Sequence, residues 1–328
     1  MKKLIKIFGI LMGLIVVLLI AGYAYLNIKY PDVGEAPDLK ITASPEMIER
    51  GRYLANGFAS CMDCHSHRDA DKFAGPLIPG TEGMGGVDFG EGAGTVIAKN
   101  ITSDKETGLG NWTDGEIFRA ITMGVDKNGE ILGPMMPYPL FGKMDENDIK
   151  AIIAYIRTLP PVKNKIPEHE LKFPVNLIFR TIPSKPDFRK LPDKSNTVAT
   201  GEYYGVGCKF CHSPAEKGDV IPGKEFSGGV EFPGLKGGII RSANISPDKE
   251  TGIGNWTKEQ FIKKFRSYLE PEIVNLKVND GEFNSIMPWT FFASCSDEDL
   301  GAIYDYLMAQ KPVSNKVVKY EPNGVLQQ

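Results

Sequence analysis

The sequence predicts a chain of compact helices, arranged as two similar copies behind a single apolar helix at the amino terminus. Three observations carry this reading: an uncharged stretch from Ile7 to Ile28, a long segment that returns at an offset of 144 residues, and helix caps that recur in the same order in each copy. A chain of 328 residues is long enough for two cores, and its 36 Gly and 23 Pro suit helices joined by long structured loops. The remaining composition is ordinary, 42% hydrophobic and 24% charged with a net charge of −3, so no basic patch points to nucleic acid.

The elements follow in order. Lys2, Lys3 and Lys6 precede Ile7–Ile28, which spans about 33 Å as helix, enough to cross a bilayer. A cleaved signal would have a shorter apolar core and a small-x-small site, which Ala21-Gly22-Tyr23-Ala24 fits poorly. The first cysteine is Cys61, so there is no lipoprotein cysteine near the amino terminus. Residues 1–29 are therefore expected to be an uncleaved, single-pass anchor in the inner membrane, lysines inside and the rest on the periplasmic side, with a cleaved signal as the alternative. Residues 30–43 read as a proline-containing tether.

Ser44-Pro45-Glu46 is a helix start with an N-cap serine and proline at the first helical position, and this helix runs to about Asn56. The glycine-rich loop from Gly75 to Gly94 is too long to be structureless unless it covers something. Thr113 and Glu116 make a capping box for a helix ending near Gly124, and Asp145 caps another over Ile149–Thr158, stopped by Pro160-Pro161. This first unit is placed at 44–162. A proline-dense stretch, 163–196, reads as an extended linker whose Phe173, Val175, Leu177, Ile178 and Phe179 are expected along the interface between the copies.

The second unit, 197–328, repeats the first. Asn100 to Thr113 matches Asn244 to Thr257, Thr257 with Gln260 makes a second capping box, and Ser296 with Asp299 opens the last helix as Asp145 with Asp148 opens its counterpart. The four Asn-x-Ser/Thr sequons at Asn100, Asn111, Asn244 and Asn255 fall inside this repeat, which favours turns and caps over glycosylation.

Each copy contains one cysteine-rich motif, Cys61-Met62-Asp63-Cys64-His65 and Cys208-Lys209-Phe210-Cys211-His212. Two cysteines three apart followed by histidine form the attachment signal for c-type haem: on one helical turn both sulfurs face the same way, and the histidine lies under the iron. At this chain's own Cys and His frequencies one match arises by chance about once per thousand such sequences, so two are not an accident. A zinc site would want its Cys pairs within a few tens of residues, and a thioredoxin-like pair would want a βαβ context. Structural disulfides between the pairs remain an alternative.

The second axial position must be chosen among 11 methionines. Met136-Pro137-Tyr138 and Met287-Pro288-Trp289 each lie nine residues before the cap of a final helix, and the following proline forces the methionine towards extended backbone. A lone methionine is usually core filler. Met135 is the rival in the first copy, but aligns with Ile286. His67 is read as a surface or propionate-contacting side chain, His169 as solvated, and Cys295 as a buried small residue.

With these motifs together, the chain over roughly Pro45 to Val317 resembles the class I cytochrome c family in tandem, above all membrane-anchored dihaem cytochromes and the cytochrome subunits of periplasmic alcohol and gluconate dehydrogenases. Those subunits typically carry three haem motifs where this chain has two. The resemblance implies an all-α fold of two cytochrome c domains and two covalently bound haems c. The thioethers would come from Cys61, Cys64, Cys208 and Cys211, and the axial ligands would be His65 with Met136 and His212 with Met287. It implies electron transfer between a donor dehydrogenase and an acceptor cytochrome or terminal oxidase. A dihaem enzyme such as a peroxidase or thiosulfate dehydrogenase is the other class, which the retained methionines disfavour.

Covalent attachment is directly testable. Haem-dependent peroxidase staining should stay with the band on a denaturing gel, and Cys61→Ala with Cys64→Ala should halve the haem per chain; loss of all haem on acid-acetone extraction of the unmodified protein would overturn it.

Overall fold

The computed structural model describes residues 1–90, 94–216 and 218–324. The chain opens with α1 (Lys2–Lys29), a helix with mean hydropathy 2.9 and no part of its apolar window buried, long and apolar enough to cross a membrane. The tether after it is not slack. Val33 is buried, Arg119 donates to the Gly34 carbonyl, and the Pro37 carbonyl lies where a side chain on Gly115 would have to go.

In the first copy α2 (Pro45–Asn56) begins at the expected Ser44 cap, and a break at Gly57–Ser60 separates it from α3 (Cys61–His65). Next come α4 (Asp114–Met123), with the Thr113/Glu116 capping box and a left-handed Gly124 at its end, α5 (Tyr138–Phe141) and α6 (Glu146–Ile156). After α7 (Val175–Arg180) in the linker, the second copy runs α8 (Thr197–His212), α9 (Lys258–Arg266), α10 (Pro271–Val274), α11 (Trp289–Phe292) and α12 (Asp297–Met308). The second motif thus sits on the last turn of an unbroken helix, whereas the first has its own. The sequence explains it: Gly51 to Cys61 spans ten residues and Gly201 to Cys208 only seven, so the first copy must break its helix to absorb the extra three.

The fold is mostly helical but not all-α. Among the described residues there are three small antiparallel sheets: β1 (Gly94–Thr95) with β2 (Glu170–Leu171), β3 (Ala215–Glu216) with β4 (Asp219–Val220), and β5 (Glu231–Pro233), β6 (Ile239–Arg241) and β7 (Tyr320–Glu321) in that order. Ladders of two or three residues are too short to leave a period-2 pattern in sequence.

In each copy the first helix crosses the last, α2 on α6 and α8 on α12, at a glycine. A Cβ on Gly51 would lie 1.8 Å from the Ala151 carbonyl oxygen, and one on Gly201 1.9 Å from that of Ala302, so the backbones touch and no side chain fits between them. Behind the crossings one core of Leu54, Ile117, Ile149, Ile152, Ile153, Leu300, Ile303 and Leu307 runs through both copies.

The copies meet through reciprocal tyrosine contacts. Tyr53 on α2 accepts from Ser296 N at 3.0 Å and donates to Asp299 Oδ2 at 2.5 Å; Tyr203 on α8 accepts from Asp145 N at 3.0 Å and donates to Asp148 Oδ2 at 2.6 Å. Each copy's first helix therefore completes the cap of the other's last helix. Phe58 stacks on Tyr204 at 4.4 Å between them. The symmetry is not complete: Arg50 holds Asp148 through two bonds of 2.9 and 2.8 Å, whereas Asp299 Oδ1 is buried with no partner among the described residues.

The linker corrects one expectation. Phe173 is 76% and Ile178 56% exposed, and no residue of α7 is buried, so this apolar segment does not lie between the copies. It packs beside the end of α1, with Arg180 donating to the Tyr30 carbonyl at 3.1 Å. Only the later linker residues Phe188 and Leu191 reach the core.

Gly51→Ala should cost about 1–3 kcal/mol through overpacking, read as a lower midpoint in denaturant melts of the haem-loaded protein. Tyr53→Phe and Tyr203→Phe should each cost about 1–3 kcal/mol by stranding a buried amide and a carboxylate. Tyr53→Phe should be the worse, because Asp148 keeps Arg50 and Asp299 keeps no charged partner; equal losses would contradict this account.

Candidate haem-binding site

The four motif cysteines are half-buried free thiols, two on α3 and two on the last turn of α8, and i,i+3 spacing puts each pair on one helical face. Burial pushes the Cys61 and Cys208 thiols up to about 12 and Cys211 to about 11, and raises Cys64 as well, with Asp63 adding to it. Among the described residues no cluster of three or more His, Cys, Asp or Glu is arranged to hold a metal ion, so the geometry gives the zinc reading no site. The disulfide alternative finds no bridge, all five cysteines being free.

Both motif histidines are oriented by the same second contact. His65 Nδ1 is 2.7 Å from the Lys99 carbonyl oxygen, and His212 Nδ1 is 2.7 Å from that of Ala243. A carbonyl only accepts, so Nδ1 carries the proton and the Nε2 lone pair is left available. Burial lowers the pKa of both rings against the opposing backbone bond, which keeps them neutral, the form a ligand requires.

The glycine-rich loop covers this arrangement, as expected, although its residues 91–93 lie outside the described residues. Gly85 N–H donates to the His65 carbonyl at 2.8 Å and Gly228 N–H to the His212 carbonyl at 2.8 Å. Both glycines have positive φ (70° and 69°), and a Cβ there would strike the Lys99 and Ala243 carbonyl groups that orient the rings. The sequons hold the same loops from below. Asn100 and Asn244 are 2% and 5% exposed and donate to the Val162 and Val313 carbonyls at 2.7 and 2.8 Å.

The two Met-Pro turns are nearly superimposable in their dihedrals. Pro137 has φ −79°, ψ 50° and Pro288 φ −76°, ψ 58°. The residue after each proline returns its N–H to the methionine carbonyl, Tyr138 to Met136 at 2.8 Å and Trp289 to Met287 at 2.7 Å, and starts a four-residue helix. Met136 and Met287 are partly buried against the core, whereas the rival Met135 is 45% exposed. The Tyr138 hydroxyl, two residues on, is buried without a partner among the described residues, a donor left over for a polar group.

The two motifs are neighbours, since Asp63 and Cys64 lie within electrostatic reach of Cys211. Arg68, which the sequence did not single out, joins the first motif to the second copy. Its guanidinium donates to the Gly75, Ala74 and Ile286 carbonyls and approaches Asp63 Oδ1 to 3.0 Å off the hydrogen-bonding axis, a charge contact. It thus ties the first motif to the residue before Met287. Around it Ala74 N–H donates to Asn284 at 2.8 Å, and Asn284 returns two bonds to the Ala70 and Lys72 carbonyls. Arg68 aligns with Ala215, so the repeat carried no signal for it. Lys99 and Ala243 act through backbone; each precedes the repeated Asn, the one clue to their place.

The minor candidates also resolve. His67 is half-buried, its Nε2 3.0 Å from the Gly85 carbonyl, so it fastens the covering loop. His169 is half-buried rather than solvated, its Nδ1 without a partner among the described residues. Cys295 is 1% exposed, a buried small residue as expected.

Residues 48–160 match the family model described as cytochrome c. The chain is 27% identical over 310 residues to the cytochrome c subunit of alcohol dehydrogenase (quinone) of Gluconacetobacter polyoxogenes, covering 89% of this chain and 61% of that one. It is 28% identical over 242 residues to the gluconate 2-dehydrogenase cytochrome c subunit of Pantoea cypripedii, covering 69% and 52%. It is 27% identical over 297 residues to a diheme cytochrome c-type protein of Cereibacter sphaeroides, covering 88% and 94%. The chain thus spans less than two thirds of each of the two dehydrogenase subunits and nearly all of the dihaem protein. The paired motifs, the two oriented histidines and these matches converge: residues 48–160 carry a cytochrome c domain, and the chain as a whole is similar to haem-binding cytochrome c subunits.

Proposed function

We propose that the chain is a membrane-anchored dihaem electron carrier: two tandem cytochrome c domains, 44–162 and 197–328, on the periplasmic side of the inner membrane, held by α1. Each domain would hold one haem c, through Cys61, Cys64, His65 and Met136 in the first and Cys208, Cys211, His212 and Met287 in the second. The observation that carries this reading is the doubled second contact, the same 2.7 Å bond from each ring's Nδ1 to a backbone carbonyl, paired with the same closed Met-Pro turn. Haem iron supplies the one-electron redox chemistry, with methionine sulfur raising the potential relative to a nitrogen ligand.

The chain's own residues do the rest. The Lys99 and Ala243 carbonyls fix ring rotation and tautomer, so each Nε2 presents one geometry in both oxidation states. The prolines stiffen the loops presenting both sulfurs, and the glycine-rich covers fasten onto each motif through the Gly85 and Gly228 amides. The neighbouring motifs support electron passage between the domains. The similarity to dehydrogenase cytochrome subunits supports a periplasmic dehydrogenase as donor, with a respiratory-chain cytochrome or terminal oxidase as acceptor.

A carrier needs only a fixed iron, whereas a haem enzyme needs an open position. Carbon monoxide added to the reduced protein, and peroxide to the half-reduced protein, should leave the haem spectrum nearly unchanged; stoichiometric binding or turnover at one haem would establish a dihaem enzyme instead. Met287→Ala should create carbon monoxide binding at one haem per chain. Arg68→Gln, which frees the Ile286 carbonyl, should give partial binding at that same haem and none at the other; an unchanged spectrum would remove Arg68 from any role in holding the Met287 loop.

A further inference from the structure

We propose that α7 with Phe173 is a membrane foot, its apolar side chains entering the headgroup–acyl boundary of the same phospholipid membrane that α1 crosses. The inference rests on the anchor reading above. Single exposed apolar residues are ordinary on a protein surface, so the 76% exposure of Phe173 and 56% of Ile178 carry nothing alone. Their position does. Residues 1–25 are exposed throughout, and α1 is first shielded at Leu26 and Asn27, at the end where α7 packs. That end is also where the aromatic residues Tyr23, Tyr25 and Tyr30 cluster, the level at which tyrosines mark a membrane–water boundary.

The foot is bolted to the anchor. Arg180 donates to the Tyr30 carbonyl at 3.1 Å, and the Asp32 carboxyl is held below its usual range chiefly by Lys29, with Lys185 adding to it. From Lys172 to Lys185 there are three basic residues (Lys172, Arg180, Lys185) and no acid, in a chain whose net charge is −3. A short apolar face flanked by cations is what the boundary of an anionic bilayer accepts, with side chains reaching about 5–10 Å into it. A protein partner would have no reason to sit at the depth set by α1; a membrane is there already.

The test uses the full haem-loaded chain in nanodiscs of phosphatidylethanolamine with phosphatidylglycerol. Spin labels go on Ile178→Cys, on Leu14→Cys in α1 and on the exposed Val318→Cys as a solvent control; Cys295 is buried and the motif cysteines are consumed by haem. The label at 178 should be reached more by dissolved oxygen than by an aqueous nickel chelate, with the opposite order at 318, and Phe173→Glu should shift 178 towards the chelate. Chelate-dominated access at 178 with oxygen-dominated access at 14 overturns the foot and leaves the anchor standing. Chelate-dominated access at 14 overturns the anchor. Shielding of 178 from both reagents overturns the foot in favour of a protein cover.

Discussion

Contact between bare backbones sets the geometry of this molecule. At Gly51 and Gly201 a first helix lies against a last helix with no side chain between, and that closeness decides where everything beyond the crossing falls. The second motif ends α8 itself, the first follows α2 across the Gly57–Ser60 break, and a Met-Pro turn precedes each last helix, so both parts adjoin the two members of a crossed pair. Their relation is therefore set by one contact and not by the long loops between. Close packing makes this stiff, because an interior at crystal-like density has no room for a half-open alternative.

Upon this frame the polar groups work as supports. Each histidine is held by a carbonyl from a loop, each loop by an asparagine reaching the segment after the last helix, and each covering glycine by the motif it covers. Nearly every buried polar group in this chain of supports has a partner, which is what buried backbone demands. Of the exceptions among the described residues, Asp63 Oδ1 lies in the first motif, the Tyr138 hydroxyl beside the proposed ligand Met136, and Asp299 Oδ1 at the interface between copies.

Much of this could be read from the sequence, for definable reasons. Caps have side-chain signatures, so Ser44, Thr113, Thr257 and Ser296 located their helices. The motifs were legible because thioether chemistry demands fixed spacing, and the Met-Pro turns because they occur twice. What could not be read acts through backbone or lacks a second copy: the Lys99 and Ala243 carbonyls, Arg68, and strands too short for a pattern. The misplaced linker had a different cause. Burial is the usual fate of apolar residues such as Phe173 and Ile178, which predicts an interface, whereas their placement beside the end of α1 depends on a contact that leaves no pattern in the linker's own sequence. Asp145 likewise caps through Asn147 N and starts its helix at Glu146, three residues before the first apolar position that marked it.

The reciprocal tyrosine caps have the form of an isologous contact: residue Tyr53 meets the counterpart of what Tyr203 meets, as in a two-fold dimer of identical subunits. One self-complementary surface, used twice, suffices for such a contact. Arg50 on Asp148 and Arg68 on the Ile286 carbonyl depart from that two-fold form, because the counterparts Thr200 and Ala215 have no guanidinium with which to repeat them, so the two halves share a frame but differ in the charges that brace it.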